Sequence, residues 1–187
     1  MIRTTLRKLR KYEACENRYD HLVEALGDEY DEYDDDTPLS VSRILDINGI
    51  SDALWALRAC DMSQKDENAV YLLACDYAEH VLHIFEDKYP DNPYPRAAIE
   101  ARRAWVKGGI SDSELWEAAT RVAVAAYTVA GSDAVAARFA AADAVAAVCA
   151  AAAVAVYHAA HFAVYYAADS ACAAEEEWQA QKLREIL

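Results

Sequence analysis

Residues 66–88 read DENAVYLLACDYAEHVLHIFEDK, and this stretch decides the fold class. Its large apolar side chains recur every three or four residues on one helical face: Val70, Leu73, Tyr77, Val81, Ile84 and Phe85. This period predicts one long amphipathic helix. The helix must end within Tyr89–Pro95, because three prolines in six residues cannot continue it. Pro95 then suits the first position of the next helix.

Shorter helical patterns lie on both sides of this stretch. Thr4–Leu26 has apolar residues at helical spacing and is predicted to form one helix, although the cations in its first turns oppose the helix dipole. Ser40 and Ser51 are suited to cap two short helices, and Ser111 with Glu114 forms a capping box for a later one. We therefore predict an all-α fold, a compact multi-helix bundle.

The C-terminal third is rich in alanine. Alanine supplies about half of residues 118–174, and no Gly or Pro occurs after Gly131. One helix from Ser132 to the end would extend roughly 80 Å, so we expect a break near Cys149–Ala153 or near Asp169–Ser170. Because alanine favours helices and lets their axes approach closely, we predict an Ala-rich, tightly packed C-terminal helical core.

These patterns divide the chain into two predicted units. An N-terminal helical module covers residues 1–50 and includes an acidic loop at 28–36, and an Ala-rich helical domain covers 51–187. Residues 134–168 are long enough to span a bilayer, but charged and histidine side chains interrupt them: Arg138, Asp143, His158 and His161. No apolar segment follows the basic N-terminus, so no signal peptide is expected. We expect a protein of the host cell cytoplasm that does not enter the membrane.

The chain of 187 residues has 18 Lys and Arg against 32 Asp and Glu, a formal charge of −14. Such a polyanion is a poor candidate for direct nucleic-acid binding, which depends on cationic contacts to phosphate. The most unusual stretch is nearly all carboxylate with two interleaved tyrosines. Its residues are Asp28, Glu29, Tyr30, Asp31, Glu32, Tyr33, Asp34, Asp35 and Asp36.

Three interpretations of this acidic segment, Asp28–Asp36, remain open. It is a solvated linker, or it pairs with the basic residues of Arg3–Lys11, or it binds a protein partner in place of nucleic acid. In the third case the carboxylates present a field like that of DNA to a basic channel, and Tyr30 and Tyr33 add apolar anchors. We predict the third, with all nine residues in contact with the partner.

Two histidine pairs have the spacing of side chains on one helical face. His80 and His83 lie three residues apart, as do His158 and His161, so each pair could present two metal ligands. Neither pair matches the Glu-x-x-His pattern of di-iron bundles. We expect core or interface histidines without a metal, and a helical metalloprotein that uses both pairs stays open as an alternative.

The chain lacks the motifs of common enzymes. It contains no G-x-S-x-G, no Gly-rich phosphate loop and no H-E-x-x-H, and no Cys–His spacing stands out. We expect no enzyme activity, no catalytic residue and no cofactor. The cysteines are odd in number and form no CxxC, so we predict small buried hydrophobes in a reducing compartment. They are Cys15, Cys60, Cys75, Cys149 and Cys172.

Residues 53–107 contain a pattern that is specific enough to suggest a family. ALWALRAC at 53–60 is followed by LLACDYAEHVLHIFEDKYPDNPYPRAAIEARRAWVKG at 72–108. From Ala53 onward, about two-thirds of the chain resembles the Ala-rich, all-helical putative immunity proteins of bacterial genomes and prophages. The matching positions are Asp76, Ala78, Glu79, Val81, Phe85, Glu86, Pro90, Pro93, Pro95, Arg96, Ile99, Glu100, Ala101, Arg103 and Trp105.

This resemblance implies a protein that binds and neutralises a toxin without chemistry of its own, and it brings no catalytic residues with it. The front part, KYEACENRYDHLVEALGD at 11–28, resembles the N-terminal module of phage-encoded accessory proteins. That second resemblance implies a phage or prophage origin, in which disabling a host defence would be of more use than resisting a toxin.

The leading hypothesis is therefore a non-enzymatic, phage-associated inhibitor that binds a host defence nuclease, as anti-CRISPR proteins do. It would cover a basic nucleic-acid-binding surface with its own acidic surface. The alternative is an immunity protein that sequesters a cognate toxin. In both cases the partner is a protein, and the aromatic residues that a small bundle leaves exposed also allow a homo-oligomer.

Overall fold

The computed structural model of the chain describes residues 1–27, 36–128 and 172–187. Within these ranges the fold is all-α, as predicted, with eight α-helices and one small sheet. In chain order the elements are β1 (Arg3–Thr4), α1 (Leu6–Lys11), α2 (Glu16–Leu26), β2 (Leu39–Ser40), α3 (Val41–Asn48), α4 (Ile50–Ala56), a 3₁₀ turn (Leu57–Ala59), α5 (Gln64–Glu86), α6 (Tyr94–Val106), α7 (Asp112–Thr128) and α8 (Cys172–Ile186).

The long helix predicted at 66–88 is α5, which begins two residues earlier, at Gln64. The Ser63 hydroxyl accepts a hydrogen bond from the Asp66 backbone N–H, and the Asp66 carboxylate accepts one from the Ser63 N–H. This capping box satisfies N–H groups that a helix start leaves without partners. α5 ends at Glu86, three residues before the segment Tyr89–Pro95 in which the end was predicted, and Pro95 is the second residue of α6, not the first.

The helix predicted over Thr4–Leu26 is two helices, α1 and α2, so that prediction was wrong. Between them Glu13 has a backbone φ of 61°, in the left-handed region that an α-helix cannot include. Lys8, Arg10 and Lys11 consequently lie in the last turn of α1, where the helix dipole favours cations. The run of positive charge marked a helix end, not an unfavourable helix start.

Two of the three predicted caps are present. The Ser40 side chain caps α3, and Ser111 exchanges hydrogen bonds with Glu114 at the start of α7. The Ser51 prediction was wrong, because α4 begins at Ile50, directly after Gly49, and has no side-chain cap. Gly49 has a φ of 84°, a conformation that glycine adopts without strain, and this lets α3 and α4 follow each other without a linker.

The chain start is fixed by contacts with remote segments. β1 pairs with β2 in antiparallel register, with Thr4 opposite Leu39. The buried Thr4 hydroxyl donates a hydrogen bond of 2.7 Å to the Ala59 carbonyl. These contacts hold the first residues against the 3₁₀ turn that follows α4 and against the strand before α3.

One contiguous hydrophobic core joins the described helices. Within it α5 packs against α6, α6 packs against α7, and α8 returns to contact both α5 and α4. Fully buried side chains come from segments that are far apart in the chain, among them Leu39, Ile44, Tyr77, Phe85 and Leu183. The domain boundary between residues 50 and 51 stays a prediction, with α3 and α4 packed together across it.

Several predictions lie outside the described residues. They include the helix break expected near Cys149–Ala153 or near Asp169–Ser170 and most of the Ala-rich core. Among the helices that the structure does describe, none is both long enough and apolar enough to cross a membrane.

Candidate protein-binding surface

Charged residues of α5 and α6 face each other across the contact between the two helices. On α5, Asp76, Glu79 and Glu86 are three and seven residues apart, which places them on one helical face. On α6, Arg96 and Arg103 are also seven residues apart. We call these five residues the carboxylate–arginine ladder.

Arg103 joins two of the carboxylates. Its Nη2 atom lies 2.7 Å from Asp76 Oδ1 and 2.7 Å from Glu79 Oε2. Burial opposes the charge of Arg103, but the hydrogen bonds to Glu79 and Asp76 outweigh it and raise the arginine pKa above its ordinary value. The hydrogen bond from Arg103 also holds the pKa of Glu79 below its ordinary range.

Arg96 joins Glu86 to the same network. Its Nε and Nη2 atoms donate to the two oxygens of Glu86 at 2.6 and 2.7 Å, and its Nη1 atom lies 3.1 Å from Glu79 Oε1. The hydrogen bonds from Arg96 lower the pKa of Glu86. Because these side chains are partly exposed, each pair contributes little to stability. Together they fix the positions of the five side chains.

A groove of about 410 Å³ lies beside the ladder, between the end of α5 and the start of α6. We call it the acidic groove, and its lining residues are Glu86, Asp87, Pro90, Asn92, Pro93, Arg96, Ala97 and Glu100. The exposed side chains of Asp87 and Glu100 make no hydrogen bond or ion pair in the part of the chain that the structure describes. The arginine of the groove, Arg96, is already bound to two carboxylates. The groove therefore presents uncompensated negative charge.

The acidic segment predicted to bind the partner lies almost wholly outside the described residues. Asp36 alone falls within them, and its Oδ1 atom lies 2.8 Å from Arg7 Nε. This contact agrees with the interpretation that the segment pairs with the basic residues of Arg3–Lys11. Both side chains are more than half exposed, so the pair adds little stability. Partner binding by Asp28–Asp36 stays a prediction.

The described histidine pair does not converge on one ligand. His80 Nε2 lies 3.0 Å from Glu175 Oε2, and its ring stacks on Trp178 with 3.9 Å between ring centres. His83 is exposed, and its Nδ1 atom lies 3.1 Å from the carbonyl of His80. In the described ranges no three His, Cys, Asp or Glu side chains are grouped to hold a metal ion. His158 and His161 lie outside those ranges.

Sequence reasoning missed the contact between α5 and α8. The buried Tyr77 hydroxyl donates to the Gln179 carbonyl at 2.7 Å, and the Gln179 amide donates to the nearly buried Glu175. With His80 and Trp178 these groups join two helices that are about a hundred residues apart in the chain. No spacing in the sequence signals that pairing.

The three cysteines whose side chains the structure describes are of two kinds, and the burial of Cys149 and Cys172 stays a prediction. Cys60 is partly buried and Cys75 is buried, and burial raises the pKa of each thiol to about 12. These two fit the prediction of small hydrophobes. Cys15 is exposed in the turn before α2, so the prediction was wrong for it, because the break between α1 and α2 removes it from a helical face.

Other features of the surface are less organised. Trp116 on α7 is 71% exposed and Tyr94 at the start of α6 is 43% exposed. A second cavity, of about 320 Å³, lies among α1–α4 and has Leu9, Tyr19 and Trp55 in its lining. Its charged lining residues include both signs, so its charge does not favour one kind of ligand.

The ladder and the groove together contain eight of the fifteen positions on which the family resemblance depends. All five ladder residues belong to that set, as do five of the eight groove residues, namely Glu86, Pro90, Pro93, Arg96 and Glu100. Positions that are scattered over 28 residues of sequence, from Asp76 to Arg103, thus lie on one surface of the helix pair.

Comparison with known proteins agrees with this resemblance. Residues 61–186 match the model of the family described as Imm-5 like putative immunity protein. No curated protein and no solved structure matches the chain. The match includes the ladder, the acidic groove and α8 but not the first 60 residues, so the resemblance of the front part to phage accessory proteins stays a prediction. The chain belongs to the Imm-5 like putative immunity protein family.

Proposed function

We propose that this chain is an immunity protein that binds a protein toxin and neutralises it by contact, without chemistry of its own. The observation that carries the proposal is the family match over residues 61–186. Within that range the described surface offers a fixed array of paired charges and an acidic groove, which suits recognition of another macromolecule. The absence of enzyme activity is part of the proposal.

The charge of the chain indicates the kind of toxin. A formal charge of −14 attracts a basic partner and accelerates encounter at low ionic strength. Toxins that act on nucleic acid or on other anionic substrates need basic surfaces, and an acidic immunity protein neutralises such a toxin by covering that surface. We therefore propose a basic toxin as the partner.

Co-expression tests this proposal. The toxin encoded beside the gene for this chain is induced alone and together with the chain, and growth is compared with the uninduced culture. We expect growth to be restored and the two purified proteins to form a stoichiometric complex in size-exclusion chromatography with light scattering. Raising NaCl from about 0.05 M to about 0.5 M should slow association, because salt screens the attraction. Growth arrest in the presence of the chain, with no complex, would refute the proposal.

The partner that the sequence favoured, a host defence nuclease, shares the same electrostatic argument. It depends on the net charge and on the acidic segment, and the family match gives it no support. It therefore ranks behind the toxin. A nuclease assay with guide RNA and target DNA separates the two, because the toxin proposal expects cleavage to continue when the chain is added.

A further inference from the structure

The acidic groove is a recess in the surface that α5 and α6 form together, within the residues that match the family model. It lies where α5 ends and α6 begins, and its lining includes the two prolines Pro90 and Pro93. Because proline has a fixed φ, these two residues restrict the backbone conformations of this wall. Ala97 leaves room in the lining, and the volume of about 410 Å³ is larger than one side chain needs.

The groove keeps a negative charge after Glu86 and Arg96 have paired with each other. Glu86 binds Arg96 through both of its oxygens, so these two residues cancel each other. Asp87 and Glu100 remain exposed and make no ion pair in the described ranges. The hydrogen bond to Glu86 does most to raise the pKa of Arg96, and Glu100 also contributes to raising it, so the single arginine of the groove is shared among Glu79, Glu86 and Glu100. The recess therefore keeps an excess of negative charge, which attracts a cationic group and disfavours an anionic one.

An exposed aromatic residue lies next to this recess. Tyr94 follows directly after Pro93 and is 43% exposed at the first position of α6. Tyrosine is one of the residue types that are enriched in protein interfaces and among the residues that carry binding energy there.

We propose that the acidic groove receives a lysine or arginine side chain of the toxin, with its cationic head at Asp87 and Glu100 and Tyr94 at the rim. The aliphatic stem of that side chain packs on Pro90, Pro93 and Ala97. This inference depends on the proposed function, because it names the part of the α5–α6 surface that contacts the toxin. Because the groove is negatively charged, it attracts a cationic residue of a protein partner and repels a nucleic acid or a membrane of anionic lipids.

Two charge-reversal variants test whether the groove acts locally. Asp87→Lys with Glu100→Lys changes the groove, and Asp20→Lys with Glu24→Lys makes the same change in net charge on the exposed side of α2. Binding of the inactivated toxin encoded by the neighbouring gene is measured by surface plasmon resonance. We expect the groove variant to bind about 30-fold or more weakly and the α2 variant to change by less than about threefold.

The outcomes separate the two proposals. If the unmodified chain binds the toxin and both variants bind it equally well, the groove is not the contact site, although the proposed function stands. If the unmodified chain does not bind, the proposed function itself fails. Circular dichroism and thermal unfolding of each variant confirm that loss of binding is not loss of fold, and Tyr94→Ala provides a second test that leaves the charge unchanged.

A probe that needs no toxin completes the test. N-acetyl-arginine amide is titrated into the isotopically labelled chain, and the neutral analogue N-acetyl-citrulline amide serves as control. We expect amide chemical-shift changes concentrated in residues 86–100 with the arginine probe only. Changes spread evenly over all exposed carboxylates, or equal changes with the neutral analogue, would overturn the inference.

Discussion

The helix pair α5–α6 and the four short helices α1–α4 are stabilised in different ways. α5 has 23 residues and α6 has 13, whereas α1–α4 have between six and eleven. Helices shorter than about 12–15 residues are marginal on their own in water. The short helices therefore depend on contacts with remote segments, such as the Thr4–Ala59 hydrogen bond and the ion pair of 2.7 Å between Arg18 and Asp52.

This difference bears on where a binding surface is placed. The ladder joins two long helices that are adjacent in the chain, and its partners are separated by 10 to 27 residues. In the region of α1–α4 the side-chain hydrogen bonds between elements join residues separated by 27 to 55 positions. The ladder forms through contacts between two helices that are neighbours in the chain. Its charged side chains are therefore held in position without contacts to remote segments.

The largest expected effect comes from Phe85→Ala, which tests how far the short helices depend on the helix pair. The Phe85 ring is fully buried, and its removal should lower the free energy of unfolding by about 3–5 kcal/mol. Because one core joins both regions, urea unfolding followed by circular dichroism should remain one transition. Tyr12→Ala, at a half-exposed position, is the control and should cost less than about 1 kcal/mol. Two separate unfolding transitions would show that the short helices and the helix pair unfold independently, and would contradict this prediction.

An intermediate effect is expected from Thr4→Val, which keeps the side-chain shape and removes the donor to Ala59. Loss of this buried hydrogen bond should cost about 1–3 kcal/mol, because the carbonyl is left without that donor. Hydrogen exchange read by mass spectrometry should accelerate in residues 1–60 and stay unchanged in α5 and α6. Equal acceleration of exchange in both regions would contradict this prediction, because it would show that loss of the Thr4 hydrogen bond destabilises α5 and α6 as much as the short helices.

The smallest expected effect is a dependence of stability on pH that originates in the ladder. Hydrogen bonds from Arg103 and Arg96 lower the folded-state pKa values of Glu79 and Glu86. The stabilisation is therefore complete above about pH 5 and is lost as the pH falls through those lowered pKa values. Urea unfolding between about pH 7 and pH 3 should show a shallower loss of stability in Glu79→Gln than in the original chain.

Salt provides the control for this last prediction. In about 1 M NaCl, screening should reduce the difference between Glu79→Gln and the original chain, because the ladder is partly exposed. An identical pH dependence of the two chains at low salt would mean that the ladder fixes side-chain positions without adding stability.

The predictability of each element followed the range of the interaction that forms it. α5 and the α7 capping box could be placed because the apolar period, the Ser111–Glu114 pair and the prolines act within a few residues, whereas the Ser63–Asp66 box that starts α5 was not predicted. The turn at Glu13 could not, since a left-handed conformation at a glutamate has no sequence signature. The charged ladder positions were visible as part of a family pattern, but the pairing of each carboxylate with its arginine was not.

The sequence by itself determined the all-α class, the long helix, its proline stop, the negative charge and the family, because each depends on composition or on neighbours along the chain. Tertiary structure alone decided that Asp76, Glu79 and Glu86 meet Arg96 and Arg103, and that Glu175 lies against His80. Those contacts depend on how the helices pack. Packing is set by the burial of the whole core, which no local stretch specifies.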